Sequence, residues 1–175
     1  MPVEEVVLLD EGHRPIGSCD KAIVHDADTP LHLGFSCYLL DAEGRVLITR
    51  RALTKRAWPG VWSNAFCGHP LPGEALETAV ARRAHFELGV TLTEIVLLDS
   101  EFRYRARDDS GVVENEYCPV FRARASSPLA PNPDEVMAWQ WVSAKDLIAA
   151  QAATPCVFSP WMVAQLGRPA VRQAL

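Results

Sequence analysis

Cys67-Gly68-His69-Pro70-Leu71-Pro72-Gly73 runs into Glu74-Ala75-Leu76-Glu77-Thr78-Ala79-Val80-Ala81-Arg82-Arg83-Ala84-His85-Phe86-Glu87-Leu88 and closes on Gly89-Val90. Pro72-Gly73 interrupts any regular element. From Glu74 to Leu88 the residues are good helix formers without proline or glycine, which predicts a helix over 74–88 that Gly89 is placed to end. Arg83 and Glu87 stand one turn apart and share a face of that helix. A thiol and an imidazole therefore sit just ahead of a helix that carries a cation and a carboxylate side by side.

Outward from this stretch the chain is rich in strands. Phe35 to Leu40, the turn Asp41-Ala42-Glu43-Gly44, and Arg45 to Arg50 predict a two-stranded hairpin with Val46, Leu47 and Ile48 in the core. Strands are expected over Ile95–Leu98, Phe102–Ala106, Glu114–Arg122 and Met137–Val142, the second and third joined by a turn at Asp108-Asp109-Ser110-Gly111. Pro119 lacks an N–H and points to an edge or a bulge. Glu114 and Glu116 alternate on their strand and so project from one face. Ser143, with Asp146 three residues on, caps a further helix, and a last one starts at Pro160 behind Ser159 and stops near Gly167. Strands, one long helix, more strands and short helices imply an α+β fold, an α/β sandwich in which a mixed sheet lies between helices. Residues 125–133 and the last dozen carry no signal.

At 175 residues, 49% of them hydrophobic, the chain is expected to be a single domain, 1–175, with one sizeable core. No apolar run approaches the roughly 20 residues that span a bilayer, and the start is acidic where a signal peptide is basic. The expectation is a cytoplasmic protein with no membrane partner. A net charge of −5 disfavours a nucleic-acid surface. Five cysteines, at 19, 37, 67, 118 and 156, form no Cys-x-x-Cys pair and argue for reduced, mostly buried thiols. Basic residues cluster locally at Arg50, Arg51, Lys55 and Arg56, a pattern that suits a small anionic ligand as well as a solvated face. A monomer is the working expectation, and the oligomeric state is otherwise open.

Gly68, Glu74, Arg82, Glu87, Gly89 and Val90 reproduce the spacing of the Nudix box, and the chain resembles that superfamily. Where a Nudix hydrolase usually has carboxylates directly after the arginine and again three residues on, this chain has Arg83 and Phe86. Two of the three metal-binding carboxylates are gone. Hydrolysis in that family relies on metal ions gathered by helix carboxylates, so the pattern favours gripping a diphosphate over cutting it.

Trp58-Pro59-Gly60-Val61-Trp62-Ser63-Asn64-Ala65-Phe66-Cys67-Gly68-His69-Pro70 resembles the signature of the type 1 isopentenyl-diphosphate delta-isomerases. His25, His32-Leu33-Gly34-Phe35-Ser36, Arg50-Arg51 with Lys55, Phe102-Arg103-Tyr104-Arg105, Glu114-Asn115-Glu116 and Ser159-Pro160-Trp161 extend the match along most of the chain. Gly34 stands where alanine is common in that family, a one-methyl difference expected to leave the site intact.

The resemblance implies a metal site of His25, His32, His69, Glu114 and Glu116. Three imidazoles and two carboxylates with a sixth position open suit octahedral Mn²⁺ or Mg²⁺ better than tetrahedral Zn²⁺, although affinity alone favours zinc over manganese. His13 and His85 are left as ordinary surface residues. A second metal, Mg²⁺, is implied with the substrate diphosphate, held by Glu87 and the backbone carbonyl of Cys67. The same resemblance makes Cys67 and Glu116 the proton-handling groups on opposite faces of the isoprenoid, with Tyr104 assisting, and leaves open which of the two delivers the first proton. It makes Lys21, Arg51, Lys55 and Arg83 diphosphate contacts and lays Trp161 over the allylic group. Ser36 is a weaker candidate for the pocket wall, and a core tryptophan anchoring the last helix is the plain alternative for Trp161. Trp58 and Trp62 read as packing.

The implied activity is interconversion of isopentenyl and dimethylallyl diphosphate, with a small isoprenoid diphosphate as partner. Two alternatives stand beside it: a Nudix-type diphosphate hydrolase, and a metal- or isoprenoid-diphosphate-binding protein without turnover. The first is opposed by Arg83 and Phe86, the second by the presence of both Cys67 and Glu116.

Overall fold

An apolar run follows the single charge of β1 (Glu5–Leu9), which pairs antiparallel with β2 (Pro15–Asp20). This hairpin opens a computed structural model that describes residues 4–175. A one-turn helix, α1 (Lys21–Val24), follows, capped by the Asp20 carboxylate. Then come β3 (His32–Leu33), β4 (Phe35–Leu40), β5 (Val46–Arg51), β6 (Trp62–Ser63), β7 (Phe66–Gly68) and α2 (Leu76–Leu88). The remainder is β8 (Leu92–Asp99), β9 (Arg103–Arg107), β10 (Val113–Tyr117), β11 (Val120–Ala125), β12 (Val136–Val142), α3 (Ala144–Ala153), a 3₁₀ turn at Pro155–Val157, α4 (Pro160–Leu166) and α5 (Pro169–Arg172).

The strands form two mixed sheets rather than the single one expected. One has five strands in the order β2-β1-β3-β10-β9, the other seven, with β12-β5-β4-β11-β8 as its path and β6 and β7 paired to β5 and β4. The segment read as one strand over 114–122 is two, β10 and β11, and they belong to different sheets. Pro119 explains the break, because it has no N–H to continue the ladder. A second crossing lies beside it. The chain passes from β3 to β4 through Gly34, whose N–H donates to the Tyr117 carbonyl at 2.9 Å, and the Ser36 N–H donates to the Pro119 carbonyl at 3.0 Å.

Every residue of β4 is buried, because helices cover both faces of the seven-stranded sheet. Cys37 and Leu39 pack with Ala79, Val80, Ala84 and Leu88 of α2. Tyr38 and Leu40 pack on the other side with Leu147, Trp161, Met162 and Leu166. This is the sandwich predicted, and its alternation follows the period of two along a strand.

The long helix starts at Leu76, two residues later than predicted, and Gly89 ends it with φ +62°. Glu74 stays outside: its carboxylate accepts from the Leu71 N–H at 2.8 Å and from Arg82 Nε and Nη2 at 2.8 and 2.7 Å. Gly68 allows the site strand to lie close beneath the helix. A Cβ there would fall 2.7 Å from Arg83 Cγ and 2.9 Å from Phe35 Cζ. Gly68→Ala is expected to destabilise the fold by about 1–3 kcal/mol through overpacking, read as a lower urea midpoint with an unchanged slope.

Ser143 caps α3, its Oγ accepting from the Asp146 N–H at 3.1 Å, and Ser159 caps α4. α5 follows beyond Gly167, so α4 is not the last helix as expected. All five cysteines are free thiols; Cys37 and Cys118 are buried, while Cys156 is exposed, against the expectation of burial for most.

Candidate active site

A cavity of about 660 Å³ opens where the two sheets meet, and it contains most of the residues singled out from the sequence: Lys21, His25, Arg51, Lys55, Cys67, His69, Arg83, Tyr104, Glu114, Glu116 and Trp161. Cys67 comes from β7 of the seven-stranded sheet, whereas Glu116 and Tyr104 are register partners on β10 and β9 of the five-stranded one. Thiol and carboxylate thus come from different sheets and line one cavity.

His25 caps α1, His32 lies on β3 as the register partner of Glu116, and His69 directly follows β7. The loop between His25 and His32 is tied to β10: the Val113 N–H donates to the Asp26 carbonyl at 2.7 Å, and Asn115 Nδ2 donates to the Thr29 carbonyl at 3.2 Å. His25, His32, His69 and Glu116 bring ligand atoms within 4.8 Å of one another, all buried. Glu114 joins them through Oε2, 3.1 Å from His25 Nε2. These two atoms meet without forming a hydrogen bond, and His32 Nε2 and His69 Nδ1 also have no hydrogen-bond partner.

Buried polar atoms left unsatisfied in one place are costly. A cation among them would remove that cost, so the donor set fits a metal ion. His32 is already oriented for it, because Nδ1–H donates to the Pro30 carbonyl at 2.9 Å and leaves Nε2 as the bare nitrogen. Burial holds His69 down to about 3, so its imidazole is neutral and needs no deprotonation to bind. Burial opposes ionisation of Glu116, yet His32 and His69 hold its carboxyl well below the usual range.

The difference at Gly34 is larger than its one methyl suggests. A Cβ at that position would meet Glu116 Oε2 at 2.5 Å and Cδ at 2.8 Å. An alanine there would require the tip of the Glu116 side chain to shift.

Cys67 is half-buried, and desolvation pushes its thiol up to about 12, the Glu116 charge adding to the rise while hydrogen bonds with Ser36 and Asn64 oppose it. Burial, with the charges of Glu116 and Glu114, likewise keeps the Tyr104 hydroxyl protonated. Ser36 does not line the cavity. It is fully buried, its Oγ 3.3 Å from Cys67 Sγ and 3.4 Å from Cys118 Sγ, and it accepts from Gln165 Nε2 at 2.8 Å. Tyr38 donates to Gln165 Oε1 at 3.0 Å and so fixes the amide's orientation.

Asn64 ties the sulfur to the aromatic wall. Its Oδ1 accepts from Trp161 Nε1 at 3.0 Å and lies 3.5 Å from Cys67 Sγ, while Nδ2 donates to the Cys37 and Phe66 carbonyls at 3.0 and 2.8 Å. Trp161 is both core residue and cavity wall. Trp58 meets its ring edge-on with centroids 5.6 Å apart, Tyr104 lies at 5.8 Å, and the Arg51 guanidinium stands 5.3 Å from the ring. Arg51 also donates from Nη2 to the Ala57 carbonyl at 2.8 Å, and so braces the loop that carries Trp58.

Arg82 donates from Nη2 to the His69 carbonyl at 3.0 Å, so the Glu74–Arg82 pair holds the loop of His69 rather than facing the cavity. Arg83 and Glu87 are paired and buried on α2; Glu87 does not line the cavity. Phe86 is exposed, with the Arg83 guanidinium over its ring at 4.9 Å. Two carboxylates that the sequence did not single out, Glu4 and Glu135, line the cavity beside Lys21, Lys55 and Arg83. Only the tertiary fold brings them there.

The NUDIX domain model matches residues 30–162, which places the chain in the class of proteins built on that domain. Among solved structures, a protein from Deinococcus radiodurans aligns with a TM-score of 0.66 at 20% identity, covering 86% of this chain and 90% of its own, and shares the fold. An isopentenyl-diphosphate Delta-isomerase from Kocuria rhizophila is 54% identical over 98% of this chain and 96% of its own length. The one from Clavibacter sepedonicus is 58% identical over 93% and 86%, and that from Klebsiella pneumoniae strain 342 is 53% identical over 100% and 95%. The chain belongs to the isopentenyl-diphosphate Delta-isomerase family.

Proposed function

We propose that the protein interconverts isopentenyl and dimethylallyl diphosphate by adding a proton at one carbon and removing one at another, through a tertiary carbocation. The observation that supports this reading is that Cys67 from one sheet and Glu116 with Tyr104 from the other line one cavity, together with Lys21, Lys55, Arg51 and Arg83. An alkene is a poor base, so its acid must be held in contact with it and away from water. Cys67 retains its proton and Glu116 is ionised, the unequal pair that giving one proton and taking another requires.

The indole of Trp161, held by Asn64, offers a face worth about 2 kcal/mol or more to a desolvated cation and excludes the water that would trap it as an alcohol. Tyr104, protonated and paired in register with Glu116, supports proton delivery there. His25, His32, His69, Glu114 and Glu116 would hold Mn²⁺ or Mg²⁺, which five ligands with a sixth position open suit, with Zn²⁺ the choice on affinity alone. Bound there, the ion would fix the Glu116 carboxylate and lower its basicity. A second Mg²⁺ would accompany the diphosphate, with the Cys67 carbonyl as a protein contact; Glu87 could join it only by leaving its buried pair with Arg83. Lys21, Lys55, Arg51 and Arg83 would take the phosphate oxygens, the arginines in pairs of bonds and the lysines as point charges.

Incubation with isopentenyl diphosphate, Mn²⁺ and Mg²⁺ in D₂O is expected to give deuterated dimethylallyl diphosphate by NMR with no phosphate released. Phosphate without isomerisation would replace this reading with a hydrolase. Binding with neither product would leave a carrier.

A further inference from the structure

Three cations of the cavity, Lys21, Lys55 and Arg83, are already paired with carboxylates. Lys21 Nζ lies 3.0 Å from Glu4 Oε2, Arg83 Nη1 lies 3.6 Å from Glu4 Oε1, Arg83 Nη2 lies 3.7 Å from Glu135 Oε2, and Lys55 Nζ contacts Glu135 directly. Charge therefore alternates along one unbroken path, Lys21, Glu4, Arg83, Glu135, Lys55. Each of the two carboxylates bridges two cations that are far apart in sequence, which is what the oxygens of a diphosphate would do. We infer that Glu4 and Glu135 are internal stand-ins for the substrate diphosphate, holding Lys21 and Lys55 in their gripping positions beside Arg83, which Glu87 anchors on its helix, and giving way when it binds.

The exchange needs only side chains to move. The loop carrying Lys55 is fastened to the backbone around Glu135, because the Ala52 N–H donates to the Glu135 carbonyl at 3.0 Å and Thr54 Oγ1 donates to the Asp134 carbonyl at 3.1 Å. The cradle keeps its shape while the Glu135 carboxylate swings out. Glu4 is less confined, its side chain 34% exposed. Without these carboxylates three cations would crowd one another; burial and the Arg83 charge already depress the Lys21 ammonium, against which Glu4 works. A bound anion must compete with Glu4 and Glu135 and is repelled by them until they move, so they act as a threshold that a multiply charged ligand clears more easily than a singly charged one.

The inference rests on the proposed reading of the cavity as a diphosphate pocket, and inorganic pyrophosphate separates the two. Titration calorimetry on the protein loaded with Mn²⁺ and Mg²⁺ is the measurement, comparing the parent with Glu135→Gln and, independently, Glu4→Gln. Removing one competing charge is expected to tighten pyrophosphate binding roughly tenfold at low salt, a gain that shrinks as salt screens the field. Parent protein that does not bind pyrophosphate would overturn the pocket reading itself. Parent binding with unchanged or weaker affinity in both variants would overturn the stand-in role and leave the pocket reading intact.

Discussion

Cys67→Ala is expected to lower turnover by about 10²- to 10⁴-fold, the range a positioned proton donor or acceptor contributes. The loss should lie in kcat, because the lysines and arginines of the phosphate end are untouched. Removing one sulfur leaves Ser36 Oγ with its bond from Gln165, and Asn64 with its bonds to Trp161 and the Cys37 and Phe66 carbonyls. The surrounding network therefore survives, and stability should change by no more than about 1 kcal/mol. Steady-state rates, metal content after dialysis and a urea midpoint check all three expectations. A variant that keeps a tenth of the parent rate would take Cys67 out of proton handling.

Glu116→Gln should be at least as damaging, for two separable reasons. Glutamine cannot exchange a proton near neutral pH, and it removes a negative charge from among three buried imidazoles whose ring centres lie 5.1 to 5.6 Å apart. Turnover is expected to fall by about 10³-fold or more, since a metal contact and a proton carrier go together. Metal affinity should fall as well, read as a smaller rise in melting temperature per decade of added Mn²⁺, because stabilisation by a bound ion follows its occupancy. His69 Nε2, now 3.1 Å from Glu116 Oε1, would face an amide of ambiguous polarity instead. Full activity with full metal content would remove Glu116 from both roles.

Local chemistry was the legible part of this chain. Gly89 ends α2 because only glycine takes φ +62° without strain, and Ser143 and Ser159 mark helix starts through their own hydroxyls. His25, His32, His69, Glu114, Glu116 and Cys67 were singled out through resemblance; the fold clusters the three histidines with the two glutamates and sets Cys67 in the same cavity, while Glu87 lies outside it. What escaped notice depends on distant partners. β2 has no buried alternation, being largely exposed, and β3, β6 and β7 have two or three residues each, too short for any period to register. Glu4 and Glu135 reach the cavity from far apart in the chain, and nothing near either residue announces it. Gln165 reads as a helix surface residue until Tyr38 and Ser36 are seen to satisfy its amide inside the core.

The paired crossings between the sheets, at Gly34 and at Cys118-Pro119, have a consequence for how such a chain can change in length. Side chains alternate with a period of two along each strand, so adding or removing one residue between Tyr117 and Val120 would turn β10 or β11 over and send Glu114 and Glu116 to the wrong face or Phe121 out of the core. The neighbouring crossing would impose the same parity on His32 and Ser36. The two runs behave like meshed gears whose tooth count is fixed, whereas the turns at 41–44 and 108–111 are free ends of the mechanism, able to lengthen without disturbing its phase.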